Sequence, residues 1–487
     1  MFKNKNCKNL PSLRRNIVYQ FLYELLIVFI PLFTIPYVSR VLGAENIGLF
    51  SYTYAVANYF VLFANLGIKN YGSRTIAMVR NNKEELNRNF SEILSIHIIF
   101  SIIVIFVYLV LLFFFVEDNL VIFLIQSIYV FAAVFDINWF FFGIEKFKLT
   151  VGRNTLVKIL SVFLVLVFVK TQTDLWIYAL ILALSVFVGQ SVVWFALKQY
   201  VSWRRPSWAN MKQHIRPLFV LFLPILALSL YKYMDKIMLG SISSNVQVGF
   251  YENAEKIINV PMSLIMAFGV VLMPRIANMV TSKDKGEVFK LIDMSMEAVM
   301  LLAIAISFGL AGISFVLAPI FFGYEFEECG ILIMGLAVTV PFMAFANVIR
   351  TQYLIPYKED KIFVVSLFLG AAVNLIVNII LIPYMAARGA VIGTIFAEII
   401  VCIYQSYFVR KKIFIKKYLL NTIPPILIGI VMFVFVFQIG NVMNINIVTL
   451  ILQLLVGMFI YAVGVFLLML KSRTRLMVLL RKFVVRY

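Results

Sequence analysis

The sequence has few of the residues on which soluble enzymes build their sites. Its 487 residues include only two histidines and three cysteines, Cys7, Cys329 and Cys402, which lie far apart and suggest neither a disulfide framework nor a metal centre. The chain contains no phosphate-binding glycine loop, no nucleotide fingerprint and no histidine–carboxylate metal spacing. The segments between its apolar runs are too short to fold as soluble domains. We therefore expect no ATPase within the chain, no enzyme activity, no cofactor and no metal.

Charged residues are scarce as well, and hydrophobic residues are abundant. Only 14% of the residues are charged and 63% are hydrophobic, with a mean hydropathy of +0.97. Soluble domains are roughly half apolar. Because a helix needs about 20 apolar residues to cross a bilayer, the runs in this sequence predict about fourteen transmembrane helices. The fold class predicted is an all-α integral membrane protein.

Basic residues are distributed unevenly among the loops that join these runs. The formal net charge is +20, and every second loop collects lysine and arginine, as cytoplasmic loops do. The opposite loops carry only Arg40, Lys170 and Arg388, together with the acidic stretches 116–119 and 323–328. This alternation places both termini in the cytoplasm. It also explains the net charge through contact with anionic membrane lipids, so no nucleic-acid partner is expected. The basic segments are 3–15, 69–88, 146–153, 198–216, 275–290, 350–361, 410–417 and 471–486.

A weak internal repeat suggests how the chain is organised. The segment RVLGAENIGLFSYTYAV at 40–56 and the segment KIMLGSISSNVQVGFYENAEKI at 236–257 both run from a basic residue through Leu-Gly and a polar turn to an aliphatic-Gly pair. Repeated halves are common in transporters. The predicted organisation is an N-terminal six-helix lobe at 1–199, a cytoplasmic linker at 200–216, a second six-helix lobe at 217–410, and a terminal helix pair with a basic tail at 411–487.

Five segments, in order, resemble the oligosaccharide-lipid flippases, the Wzx-type polysaccharide transporters of the multidrug/oligosaccharidyl-lipid/polysaccharide superfamily. The first is IPYVSRVLGAENIGLFSYTYAVANYFVLFANLGIKNYGSRTIA at 35–77. The others are YMDKIMLG at 233–240, VGFYENAEKI at 248–257, FFGYEFEECGILIM at 321–334 and LGAAVNLIVNIILIPYMAARGAVIGTIFAE at 369–398. Each motif alone is moderately specific, whereas five in the family's order are a strong signal, and the resemblance extends over nearly the whole chain.

The resemblance implies an alternating-access transporter of twelve helices in two lobes, with two extra helices. Its cargo would be an undecaprenyl-diphosphate-linked oligosaccharide repeat unit, moved from the cytoplasmic to the outer leaflet of a bacterial plasma membrane. The partners would be this lipid-linked oligosaccharide and membrane lipids, with a polysaccharide polymerase and glycosyltransferases as candidates. Two other classes stay open: a multidrug antiporter of the same superfamily and a membrane-embedded polysaccharide polymerase.

Charged residues inside two consecutive apolar segments are the main candidates for a substrate-binding cavity. Their spacing puts them on one face of each helix. Because an ionised group at the bilayer centre costs at least about 2.5–3.5 kcal/mol, such faces line a wet or protein-filled interior. The first segment contributes Lys232, Asp235 and Lys236, and the second contributes Glu252, Glu255, Lys256 and Asn259.

Two interpretations of these charges remain open. In one, Lys232 pairs with Asp235, and Glu255 pairs with Lys256 or Lys236, so that the charges fasten the two helices together. In the other, the lysines attract a diphosphate while the carboxylates limit its affinity or carry a coupling proton.

Five other polar residues in or beside apolar segments are weaker candidates. Asn374 and Asn378 lie one turn apart on one predicted helix, where they would hydrogen-bond either to a neighbouring helix or to sugar hydroxyls. The remaining three are Glu24, Arg40 and Asp136.

Overall fold

The computed structural model describes residues 13–281, 285–471 and 476–478, with most side chains from residue 33 onward. These ranges form helices and short helical turns and contain no strand, which confirms the all-α class. Twelve helical segments in them are long and apolar enough to cross a membrane. The count of fourteen stays a prediction. The helices are α1 Leu13–Asn65, α2 Ile68–Val79, α3 Lys83–Phe115, α4 Leu120–Val134, α5 Asn138–Gly143, α6 Phe147–Phe168, α7 Leu175–Leu197, α8 Trp208–Ile242, α9 Asn245–Thr281, α10 Lys285–Phe322, α11 Cys329–Ala337, α12 Thr339–Ile349, α13 Asp360–Met385, α14 Ala387–Val409, α15 Ile415–Val442 and α16 Ile447–Lys471.

Long helices are the structure that this composition favours, because lipid offers no hydrogen-bond partners and a helix satisfies its own backbone. The breaks have local causes. α1 changes direction at Gly43, whose φ of 77° is a conformation that favours glycine. α3 begins at Asn82, whose side chain accepts hydrogen bonds from the backbone of Glu84 and Glu85.

The chain divides into two compact units, each considered separately. The first comprises the described residues up to Asn46 and Phe50–Ser229. In it, α2 packs on α3 and α5, and α7 packs on α4 and α6. Aromatic rings fill one part of its core, where Phe90 stacks on Trp139 at a centroid distance of 5.6 Å.

The second unit comprises Ile47–Leu49 and the described residues from Leu230 onward. α10 lies among α9, α11, α12, α15 and α16, while α13 and α14 form a closely packed antiparallel pair that contacts α9, α11 and α12 through α14. An apolar groove with a cavity volume of about 970 Å³ lies along α10, α15 and α16, lined by residues such as Leu301, Gly309, Met432 and Gly457. The lobe and linker boundaries expected from the sequence stay predictions.

Candidate functional site

The polar centre of the second unit is built by four helices. The last part of α8, from Leu230 to Ile242, carries Asp235 and Lys236, which are 4% and 7% exposed. α9 faces them with Tyr251 and the glutamates that follow it, and α13 and α14 contribute polar side chains from the antiparallel pair. Adjacent positions on a helix point in different directions. Asp235 and Lys236 therefore have different surroundings.

Asp235 is surrounded by neutral hydrogen-bond donors. Its Oδ2 accepts a hydrogen bond from the Tyr251 hydroxyl at 2.6 Å and from the Thr394 hydroxyl at 3.0 Å, and its Oδ1 accepts one from Asn378 Nδ2 at 2.5 Å. Within the described part of the chain, no lysine, arginine or histidine forms an ion pair with this carboxylate. A buried carboxylate held only by neutral groups can take a proton or a small cation without first breaking an ion pair.

The α13–α14 pair holds the asparagines beside Asp235. Asn378 Nδ2 also donates to Asn374 Oδ1 at 3.2 Å, and both side chains are buried. Gly393 on α14 makes this possible, because a Cβ atom at that position would lie 2.1 Å from Asn378 Oδ1. The sequence placed Asn374 and Asn378 among the weaker candidates, and the structure brings them to Asp235.

Lys236 lies in a compensated ion cluster. Its Nζ is 2.5 Å from Glu252 Oε2 and 2.8 Å from Glu255 Oε2, and Glu252 Oε1 is 3.2 Å from Lys256 Nζ. Two lysines and two glutamates cancel in formal charge. Lys236 is thus paired with Glu255, one of the alternatives predicted, and the cluster joins α8 to α9.

Two of the predicted residues lie outside both groups. Lys232 is exposed, with its Nζ 5.3 Å from the centroid of the Tyr233 ring. The Lys232–Asp235 pair expected under the first interpretation is not found among the described ion pairs, because the Asp235 carboxylate accepts hydrogen bonds from side chains of α9, α13 and α14 instead. Asn259 is exposed on α9, one turn beyond Glu255.

The remaining weaker candidates belong to the first unit. Asp136 is half-buried after α4, and its Oδ1 accepts hydrogen bonds from the backbone and side-chain nitrogens of Asn138 at 3.1 and 2.7 Å. Arg40 is exposed three residues before the Gly43 kink. The side chain of Glu24 lies outside the described residues. No group of three or more His, Cys, Asp or Glu side chains that could hold a metal occurs in the part of the chain that the structure describes.

Sequence reasoning missed Tyr251 and Thr394, which supply two of the three donors to Asp235. A tyrosine and a threonine are common in membrane helices, and neither is charged. The only local signal was the pair Gly389 and Gly393, whose spacing of four is typical of closely approaching membrane helices. That spacing predicts a tight α13–α14 contact but does not identify Thr394 as a ligand-facing hydroxyl.

Comparisons with known proteins agree on the type of molecule. The sequence profile of the family described as polysaccharide biosynthesis protein matches residues 13–280. A protein of Shigella dysenteriae assigned as an O-antigen transporter is 24% identical over 408 residues, which cover 81% of this chain and 99% of the relative. A protein of Escherichia coli K12 with the same assignment is 26% identical over 408 residues, covering 82% and 97%. The fold is similar to the inward closed conformation of the lipid II flippase MurJ, with a TM-score of 0.71, 16% identity, and coverage of 93% of this chain and 98% of that one.

Proposed function

The chain belongs to the polysaccharide biosynthesis protein family, and we propose that it is a Wzx-type flippase. It translocates undecaprenyl-diphosphate-linked oligosaccharide repeat units from the cytoplasmic to the outer leaflet, for capsule, exopolysaccharide or O-antigen synthesis. The observation that carries the proposal is the match to two O-antigen transporters along almost their whole lengths. The chain is a transporter in this proposal and not an enzyme.

The chemistry of such a substrate explains why polar groups lie within apolar helices. A sugar chain with a diphosphate cannot enter hydrocarbon unaided, because its hydroxyls and phosphates would lose water without gaining partners. The hydroxyl and amide groups that surround Asp235 are polar groups of this kind within otherwise apolar helices, on α9, α13 and α14. The apolar groove along α10, α15 and α16 would accommodate part of an isoprenoid chain.

We assign Asp235 the task of taking the coupling cation, a proton or Na⁺. Oxygen atoms of carboxylate, amide and hydroxyl groups suit a hard cation. Among the candidates whose side chains the structure describes, Asp235 is the one carboxylate that is both deeply buried and held by neutral donors. Binding and release of one positive charge there would change the charge of the unit's interior, which is what coupling to an ion gradient requires.

The lysines divide into two classes under this proposal. Lys236 and Lys256 are neutralised by Glu252 and Glu255, so they contribute no net attraction for a diphosphate. Lys232 is exposed and carries the positive charge that remains for that task. Charge attraction at an exposed site speeds the encounter with an anionic ligand more than it strengthens final binding.

The flippase activity is tested by deleting the gene and measuring lipid-linked intermediates on each membrane face. We expect the intermediates to accumulate on the cytoplasmic leaflet and surface polymer to disappear, with recovery on re-expression. Normal surface polymer together with altered drug tolerance would favour a multidrug antiporter instead. Intermediates that reach the outer leaflet but are not polymerised would point to a polymerase.

The proposed location is the bacterial plasma membrane with both termini in the cytoplasm. Single cysteines in a background without native cysteines test this topology. Those at Lys83 and Lys412 should resist an impermeant thiol reagent in whole cells, whereas those at Asn119 and Glu327 should react, because the basic loops are retained inside. The reverse pattern of labelling would invert the topology.

A further inference from the structure

Three titratable side chains, two of them buried, are linked by hydrogen bonds in the first unit. His214, near the start of α8, has Nε2 at 2.9 Å from Glu92 Oε2 on α3 and Nδ1 at 2.6 Å from the Tyr71 hydroxyl on α2. His214 is 3% exposed and Glu92 is 1% exposed. Both ring nitrogens are therefore engaged, each with a titratable partner from a different helix.

Among the residues that the structure describes, Glu92 has a single polar partner. Its other oxygen, Oε1, is buried and accepts no hydrogen bond from the described residues, and within the same ranges His214 is its only ion-pair partner. The arginines and lysines nearest along the three helices are exposed. They are Lys69 and Arg74 on α2, Arg88 on α3, and Lys212 and Arg216 on α8. A buried carboxylate in this position is compensated only if the histidine carries a proton.

The geometry accommodates two protonation states. With a neutral ring, the Tyr71 hydroxyl donates to Nδ1 and the ring N–H at Nε2 donates to Glu92, which leaves one net negative charge in the interior. With one more proton, both ring nitrogens donate, Tyr71 Oη accepts, and the Tyr71 hydroxyl can turn to the neighbouring Thr75 hydroxyl. The heavy atoms keep their contacts in both states, and the second state has no net charge.

We propose that Glu92, His214 and Tyr71 form a binding site for one exchangeable proton in the first unit. Histidine is the side chain whose charge changes most readily between pH 5 and 8. Proton uptake at this site converts a hydrogen bond between α3 and α8 into an ion pair, and so tightens the attachment of the start of α8.

The proton site lies where the segment before α8 is hydrogen-bonded to α3. The segment that precedes α8 is held to α3 by side-chain acceptors, with Asn87 Oδ1 3.0 Å from Ser202 N and Ser91 Oγ 2.9 Å from Arg204 N. The first three turns of α3 thus bind both this segment and His214. A change of charge at Glu92 and His214 therefore acts on a contact between α3 and the start of α8 that these hydrogen bonds already hold.

The composition makes the experiment direct, because the chain has only two histidines. The other, His97 on α3, is also buried but has no hydrogen-bond partner on either ring nitrogen among the described residues, which makes it an internal control. Full-length protein with ¹⁵N-labelled histidine in lipid nanodiscs gives separate signals for the two rings. His97→Gln or His214→Gln assigns them by subtraction.

We expect the His214 ring to gain one proton in a single step as the pH falls. Glu92→Gln should move that step to lower pH by at least about one unit, a tenfold change in proton concentration, because the imidazolium loses its carboxylate partner. Tyr71→Phe removes the hydroxyl that bonds Nδ1 in both states and should change the Nδ1 signal, which keeps the test available if Glu92→Gln does not fold. An Nδ1 signal that Tyr71→Phe does not change, a ring that keeps one charge at every pH at which the protein stays folded, or a step that Glu92→Gln does not move, would overturn the proposal. Because the measurement needs no transport, its outcome is independent of the proposed flippase activity.

Discussion

Two neighbouring residues of α8 show opposite ways of burying a charge. Asp235 is held by a tyrosine, an asparagine and a threonine, none of which carries charge. Lys236, the next residue, is held by two glutamates, one of which also binds Lys256. A compensated cluster is costly to break and offers a ligand no net charge. An uncompensated carboxylate can accept a proton or a cation, so we expect the Lys236 cluster to stabilise the fold and Asp235 to take part in transport.

The largest effect is expected when the compensated cluster loses its central lysine. Lys236→Gln leaves Glu252 and Glu255 with only Lys256 between them, and we expect a loss of about 3–5 kcal/mol in the free energy of unfolding. The amount of membrane-inserted protein and its thermal unfolding in detergent measure this loss. The double variant Lys236→Gln with Glu255→Gln keeps the Glu252–Lys256 pair, and should recover most of the protein. If the single variant is as abundant as wild type, the cluster is not structural.

The second prediction concerns Asp235, the carboxylate that is held by neutral donors. Asp235→Asn keeps the size of the side chain and removes the charge, so folded protein should stay near the wild-type level while surface polymer per inserted protein falls by about tenfold or more. Thr394→Val is the milder companion, because it removes one neutral donor at 3.0 Å, worth about 1 kcal/mol. Wild-type export by Asp235→Asn would remove Asp235 from the coupling mechanism.

Sequence reasoning recovered the fold class and most of the charged residues of the site because both depend on single strong signals. Long apolar runs require helices in lipid, and a charge inside such a run requires a partner. What decides the role of each charge is which helices face it, and that depends on tertiary packing. Nothing in the local sequence around Asp235 predicts that α13 and α14 supply its partners, or that Lys232 is exposed. A residue with a neutral hydroxyl, such as Thr394, produces no sequence pattern that would indicate its role.

A third prediction alters the Asp235 surroundings without changing any charge. Gly393→Ala puts a methyl group where Asn378 Oδ1 now lies, and should cost about 1–3 kcal/mol through overpacking while displacing the amide from Asp235. Gly189→Ala on α7 is the matched control, because its nearest neighbour would be Val157 at an ordinary 3.7 Å. Export per folded protein should fall for Gly393→Ala alone. Equal behaviour of the two variants would show that the close α13–α14 contact does not support the site.

The smallest effect on stability is expected at Lys232, a candidate that lies outside both the Asp235 site and the Lys236 cluster. Because the side chain is exposed, Lys232→Gln should change the free energy of unfolding by no more than about 0.5 kcal/mol. If Lys232 attracts the diphosphate, this variant should export several-fold less polymer per inserted protein, with Lys232→Arg keeping part of the activity, since attraction follows charge. Adding Asp235→Asn should not restore export, because Asp235 bonds to neutral donors and not to Lys232. Rescue by that double variant would mean that Lys232 and Asp235 form an ion pair during transport.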